Sequence, residues 1–353
     1  MTGAFAHRTR AQSVRFAPGD AAAALAEEVA ATGAQRVLVI AGATERALAG
    51  RLTAGLPVAG LHDEVVMHVP VDVADRARAV AARLRADLLV SVGGGSTTGL
   101  AKAVALTGGM PIVAVPTTYA GSEATDVWGL TEGAVKTTGV DPRVLPVAVV
   151  YDAELTRTLP TAAAVASGLN ALAHCVDSMW APHSDPIDRV LAAEGARALA
   201  GGLPAVAGAP QDRAGHEQVL YGAYLAAVAF ASAGSGLHHK ICHVLGGRYD
   251  LPHAPTHAVV LPHVLALNAP AAPDAGRRLA GALGHGSALA GLLELTARLG
   301  APRSLGELGF RAADVPDAAR AILPAVPPDN PATVTVAVLE RLLAAAQEGA
   351  QPR

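Results

Sequence analysis

Between residues 21 and 151, short uninterrupted apolar runs alternate with stretches in which apolar residues recur every third or fourth position. The first texture is that of a strand covered on both faces and the second that of an amphipathic helix. The pattern predicts helices over 21–31, 44–52, 73–85 and 100–106. It predicts strands over 36–40, 64–69, 87–92, 111–116 and 147–151. Apolar strands joined by helices imply a parallel sheet with helices on both faces. From Thr161 the texture changes to long Ala- and Leu-rich stretches at helical spacing, with no alternating strand. A loop is expected over 324–331 and a closing helix over 333–346. The boundary between the two textures falls near 152–160.

The strand ending at Val92 runs into Gly93-Gly94-Gly95-Ser96-Thr97-Thr98, and a helical stretch follows. Glycines let backbone approach a phosphate, and a helix N-terminus offers unpaired N–H groups and a favourable dipole. A dinucleotide pyrophosphate is the natural ligand, with Gly94, Gly95, Ser96 and Thr97 as candidate contacts. The loop is not a GxxxxGK[ST] phosphate loop. Lys102 lies too far along the helix to serve one, and reads equally well as a solvated helix lysine. The next strand leads into Pro116-Thr-Thr-Tyr-Ala-Gly-Ser-Glu123, where Thr117, Thr118 and Ser122 place hydroxyls at a strand's C-terminal end, the usual ligand edge of an open α/β sheet. Lys136 is a candidate cation for cofactor or substrate. The chain therefore reads as an α/β dinucleotide-binding domain over 1–155 and an all-helical catalytic domain over 156–353.

Six of the thirteen histidines lie between residues 238 and 263. Neutral imidazole is both a common metal ligand and a common acid/base at neutral pH, so this density marks an active site. His239 and His243 are four apart, as are His253 and His257. Upstream, Asn170 and His174 share one helix face at the same spacing. A divalent metal would want a carboxylate where Asn170 stands, and an amide is a poor substitute.

The remaining composition narrows the field. Apolar residues make up 51% of the chain and aromatics only 3%, with a net charge of −3 and mixed signs. No basic patch offers itself to nucleic acid or an anionic membrane. No apolar run is long enough to span a bilayer, and the N-terminal segment does not read as a signal peptide. Cys175 and Cys242 sit in apolar helical patterns as packing residues, and a reducing cytoplasm is expected.

The glycine loop, the Pro116–Glu123 segment, the Asn170/His174 helix and His239…His243…Pro252-His253 resemble the iron-containing (group III) alcohol dehydrogenases in order and spacing, from about residue 10 to residue 350. The resemblance implies a dehydroquinate synthase-like architecture. In metal-dependent members an Asp and three His bind the metal, at the positions here held by Asn170, His174, His239 and His253. Asn170 and Gly99 depart from that pattern, and the segments Gly93–Gly99, Pro116–Glu123 and Gly168–His174 look like the maleylacetate reductase branch. That branch reduces the C=C bond of maleylacetate, an unsaturated oxo-dicarboxylate, to 3-oxoadipate with NADH or NADPH and without metal. For such a reaction the histidine cluster offers His243 or His253 as proton donor, with His174, His239 and Asn170 positioning substrate. Lys240, Lys136 and Tyr119 are candidates for its carboxylates, and a homodimer is expected. After the first expected strand the chain reads Ala41-Gly42-Ala43-Thr44, with no Asp to repel a 2′-phosphate, so both cofactors stay open. Alternatives are a metal-dependent alcohol or aldehyde reductase, a reductase of another unsaturated oxo-acid, a lyase like dehydroquinate synthase and a catalytically silent nucleotide-binding protein.

Overall fold

A computed structural model describes residues 4–133 and 135–352, the side chains of Val135 and Lys136 excepted. The chain divides into two compact units, Thr9–Leu159 and Pro160–Arg353 together with Met1–Arg8.

The first unit is built on β1 (Ser13–Phe16), β2 (Val37–Ile40), β3 (Val58–His62), β4 (Leu88–Gly93), β5 (Ile112–Pro116) and β8 (Ala148–Tyr151). These form one parallel sheet in the order β1-β8-β5-β4-β2-β3. The hairpin β6 (Val127–Glu132) and β7 (Val135–Val140) stands apart as an antiparallel pair. Helices α1 (Ala21–Thr32), α2 (Arg46–Leu52), α3 (Val71–Leu84), α4 (Gly95–Gly108) and α5 (Ala153–Thr156) complete the unit. Alternate residues of β2 enter two separate cores. Val37 and Val39 pack with α1 and α2, whereas Leu38 and Ile40 pack with α3 and α4. Both faces of the sheet are therefore covered, which is why the central strands β2 and β5 read as unbroken apolar runs.

The strand expected over 64–69 is not one. The strand of this region, β3, lies earlier, at Val58–His62, on the sheet edge where Val58 is exposed. Residues 65–69 look more strand-like, but His68 and Val69 adopt left-handed φ of 65° and 51°, incompatible with extended pairing. β1 and the β6/β7 hairpin carry no strong apolar alternation and were not expected. Helix α4 starts five residues before the expected Leu100, directly in the glycine loop.

The second unit is helical: α6 (Thr161–Ser178), α7 (Pro186–Gly208), α8 (Arg213–Ala233), α9 (Leu237–Tyr249), α10 (His253–Asn268), α11 (Pro273–Ala282), α12 (Ala288–Arg298), α13 (Val315–Ile322) and α14 (Val336–Glu348). Helices α6, α7 and α8 pack on one another. A core drawn from α9, α10, α13 and α14 includes Ile241, Val260, Ile322 and Leu343. Pro186–Gly208 is apolar and long enough to cross a membrane, but half of it is buried inside the unit, as in a core helix.

Candidate active site

In the parallel sheet, β2 lies between β3 and β4, so the chain's progress across the sheet reverses between β2 and β4. Such a switch point opens a crevice at the strands' C-terminal ends. The glycine loop leaves β4 there. Gly93 has φ 151°, and a Cβ on it would fall 2.4 Å from Thr97 Oγ1. A Cβ on Gly94 would lie 2.9 Å from Thr118 Cγ2. Only glycine allows the two loops to approach this closely. Helix α4 then begins at Gly95 with no side-chain cap, leaving its first N–H groups to a ligand. Gly94, Gly95, Ser96, Thr118 and Ser122 are partly exposed, whereas Thr97 and Thr117 are buried beneath. The loop fits a dinucleotide pyrophosphate.

Lys102 is not a solvated lysine. It is fully buried, and its Nζ donates to the carbonyls of Ser122 (2.6 Å), Thr125 (2.8 Å) and Val127 (2.9 Å) and to Thr125 Oγ1 (3.0 Å). Burial pushes its pKa down to about 7, opposed by the Glu123 and Asp126 carboxylates. The four oxygens favour the ammonium form, so Lys102 acts as a pin for the segment that follows Pro116. Tyr119, expected at substrate, is fully buried instead. Its hydroxyl engages Thr156, and burial lifts its pKa to about 12. Its large apolar ring packs in the unit's interior. The Lys136 side chain lies outside the described residues.

The loop after β2 contributes a carboxylate that its sequence concealed. A Cβ on Gly42 would lie 2.8 Å from Glu45 Oε2, and Thr44 Oγ1 donates to the same oxygen at 2.6 Å. Glu45 thus folds back to the place a side chain at position 42 would occupy. The neighbouring cation, Arg46, is paired with Asp63 at 2.8 Å.

In the helical unit, α6 carries Asn170, His174 and Asp177 at spacings of four and three, on one face. His174 and His239 stack with centroids 5.0 Å apart, and Phe230 packs against both rings. His239 stands 6.1 Å from the exposed His243 and 4.9 Å from His257, and His257 stands 4.4 Å from the partly exposed His253. Lys240 follows His239 on α9 and is partly exposed. Asn170 Oδ1, His174 Nδ1 and His239 Nε2 are buried with no hydrogen-bond partner. Burial lowers the pKa of His174 to about 4 and drives that of His239 well below the usual imidazole range. Neighbouring imidazoles push the same way. These rings are neutral at pH 7.

Asp177 was not foreseen. Its Oδ2 accepts from His239 Nδ1 at 2.7 Å and from the His239 backbone N–H at 3.1 Å, and its Oδ1 accepts from the His238 N–H at 3.4 Å. The N-cap of α9 is Gly236, which has no side chain to cap with. Asp177 caps that helix from outside. A Cβ at Gly236 would lie 2.5 Å from Asp177 Oδ1, so the glycine makes room for the carboxylate. With Nδ1–H held by Asp177, His239 presents a bare Nε2 lone pair.

Among the described residues, the donor atoms of His174, His239 and His253 do not form a group lying within 4.8 Å of one another. Their fourth companion, Asn170, brings no charge. This set does not fit a divalent iron or zinc ion. Two other groups do converge: His238 with Cys242 and His257, and His7 with Asp185 and Asp188. In the second, Asp185 and Asp188 form the capping box of α7 and His7 Nδ1 bonds Asp185 at 2.8 Å, which accounts for the contact.

Two family models cover this architecture. One, described as iron-containing alcohol dehydrogenase, matches residues 11–153; the other, the C-terminal part of the Fe-containing alcohol dehydrogenase family, matches residues 164–347. The chain belongs to the iron-containing alcohol dehydrogenase family. Within it, a maleylacetate reductase of Sphingobium indicum is 46% identical over 93% of each chain. A solved maleylacetate reductase from Agrobacterium tumefaciens superposes with TM-score 0.95 at 43% identity, covering 99% of this chain and 100% of its own. A solved iron-containing alcohol dehydrogenase from Corynebacterium glutamicum is 57% identical, with TM-score 0.96 and 98% of each chain covered.

Proposed function

We propose that this chain is a maleylacetate reductase that uses NADH in preference to NADPH and works without metal. The observation that carries the metal-free reading is the donor set: one amide and three imidazoles at the family's ligand positions, with no anion among them and no convergence. Reducing an isolated carbonyl benefits from a Lewis acid at the nascent alkoxide. A conjugated enone flanked by carboxylates does not need one. NADH or NADPH, held by the loop at Gly94, Gly95 and Ser96, would supply a hydride to the carbon β to the ketone, and the charge would then rest on the ketone oxygen as an enolate. The Asn170 amide and His174 supply hydrogen-bond donors for the enolate oxygen. His239, its orientation fixed by Asp177, stacks on His174 and helps position the substrate. His243 or His253 then protonates the α carbon. Both reach solvent more readily than the buried rings, so either can be reloaded between turnovers. Lys240 is the remaining described candidate for a substrate carboxylate.

The cofactor preference rests on Glu45. Its carboxylate, beside the strand-end crevice, suits ribose hydroxyls and repels a 2′-phosphate, while Arg46 is already paired. The two free, buried thiols fit a reducing cytoplasm, and a homodimer is expected. The decisive test is NAD(P)H oxidation with maleylacetate beside ethanol, lactaldehyde and simple enones, before and after chelation. Turnover of maleylacetate that survives chelation is expected. Comparable turnover of a simple aldehyde, lost on chelation, would move the chain to the metal-dependent alcohol dehydrogenases.

A further inference from the structure

We propose that His238, Cys242 and His257 form a second, buried site for a soft or borderline transition-metal ion, such as zinc, distinct from the family's ligand positions. His238 and Cys242 are one turn apart on α9, and His257 faces them from α10. His238 Nε2 lies 2.9 Å from His257 Nδ1 and 3.8 Å from Cys242 Sγ. In a tetrahedral zinc site, with Zn–N about 2.0–2.1 Å and Zn–S about 2.3 Å, donor atoms stand about 3.3 Å (N to N) and about 3.6 Å (N to S) apart. The His238–His257 and His238–Cys242 distances lie within a few tenths of an ångström of these values, and the Cys242 and His257 donors lie within 4.8 Å of each other.

The chemistry of the set matches. Two imidazoles and a thiolate select zinc, copper or cobalt over magnesium or calcium, whose preferred ligands are oxygens. Cys242 supplies the anion that Asn170 cannot. Burial and the Asp177 carboxylate keep the unliganded sulfur as a thiol. The incoming ion therefore displaces one proton to solvent as the S–metal bond forms. Asp177 stands at the start of α9 and adds a negative charge near the cation. All three side chains are buried, so exchange is slow, and loading must run to constant metal content.

Cobalt(II) distinguishes this site from the family's positions, because only a sulfur ligand gives a thiolate-to-cobalt charge-transfer band. The whole chain is equilibrated with cobalt chloride, freed of excess ion and examined by absorption and elemental analysis. One retained cobalt per chain with the thiolate band is expected. The band should persist in Cys175→Ser and His253→Ala. Retained cobalt should fall at least tenfold in Cys242→Ser and in His257→Ala, with circular dichroism confirming that both variants are folded. No retained cobalt, cobalt without the band, or a band lost in Cys175→Ser or His253→Ala while Cys242→Ser keeps it would overturn the proposal.

Discussion

Asp177 Oδ2 lies 2.7 Å from His239 Nδ1, and the same carboxylate takes the two backbone N–H groups that open the helix carrying His239. One buried side chain thus both caps α9 and sets the tautomer of its most central imidazole. The positive end of the helix dipole favours a carboxylate there, while burial raises its pKa above the ordinary range. The two roles separate by substitution. Asp177→Ala strands three buried donors and should destabilise the protein by on the order of 3 kcal/mol. Asp177→Asn retains an acceptor, should cost less, and should still lower turnover about 10–100-fold, as loss of a partner that orients an imidazole does. Denaturant unfolding beside steady-state rates and their pH profile separates the effects. An Asn variant with unaltered rate and profile would leave Asp177 as a cap alone.

The cofactor preference follows from the Gly42–Glu45 relationship. Glu45→Gln removes the charge that a 2′-phosphate would meet and should improve NADPH binding relative to NADH by about tenfold, or about 1.4 kcal/mol. Fluorescence titration of both cofactors reads this without any substrate. Wild type that binds the two equally would refute the assignment, and binding of neither would count against the reductase reading itself.

Lys102 should prove structural rather than catalytic. Lys102→Met leaves three carbonyls and the Thr125 hydroxyl without their donor and strands the nearby carboxylates. A loss of about 3–5 kcal/mol is expected, as for other buried charges deprived of a partner. Urea unfolding measures it. Full stability in the methionine variant would mean that the segment after Pro116 holds itself.

Much of this was legible in the chain, and what was not has physical causes. The central strands announce themselves because both faces of the sheet are covered, so Val37–Ile40 and Leu88–Val90 are apolar throughout. The edge strand Val58–His62 contains Gly60 and an exposed Val58, and gave way to the more strand-like 64–69, whose left-handed His68 and Val69 only tertiary structure dictates. The histidine cluster was visible as density. Asp177 was missed although it continues the Asn170/His174 face at i+7, a spacing that could have flagged it. Lys102 was read by its neighbours in sequence and Glu45 was passed over, because a buried ammonium and a backfolded carboxylate are defined by their neighbours in space.

Buried neutral imidazoles make stability depend on acidity with a definite sign. His263 is buried on α10, and burial lowers its pKa to about 4 from an ordinary 6.5. The unfolded chain takes up this proton first, so the contribution is intact above pH 6.5. It is lost as pH falls toward 4, at up to about 1.4 kcal/mol per pH unit. His263→Gln should flatten the stability-against-pH curve by that slope in that window. An unchanged slope by urea unfolding at several pH values would show that His263 is accessible to protons in the folded state.

Asn170 is the position on which the chemistry turns. Its Oδ1 is buried and unpartnered, on the helix face that also carries His174. Asn170→Asp would place a charge there that only a proton or a cation can balance. In a Cys242→Ser background, which silences the thiolate site, the aspartate variant should bind zinc at least tenfold more tightly than the chain that keeps Asn170, because a hard anion adds charge neutralisation that an amide lacks. It should also lose maleylacetate turnover. Without metal the carboxylate repels a dianionic substrate and raises the proton affinity of His174 and His239. With metal those rings are occupied as ligands. Zinc affinity by equilibrium dialysis is read independently of the reductase assay. Equal affinities of the two proteins would mean that the rings around position 170 do not rearrange to take a metal, even when given the anion they lack.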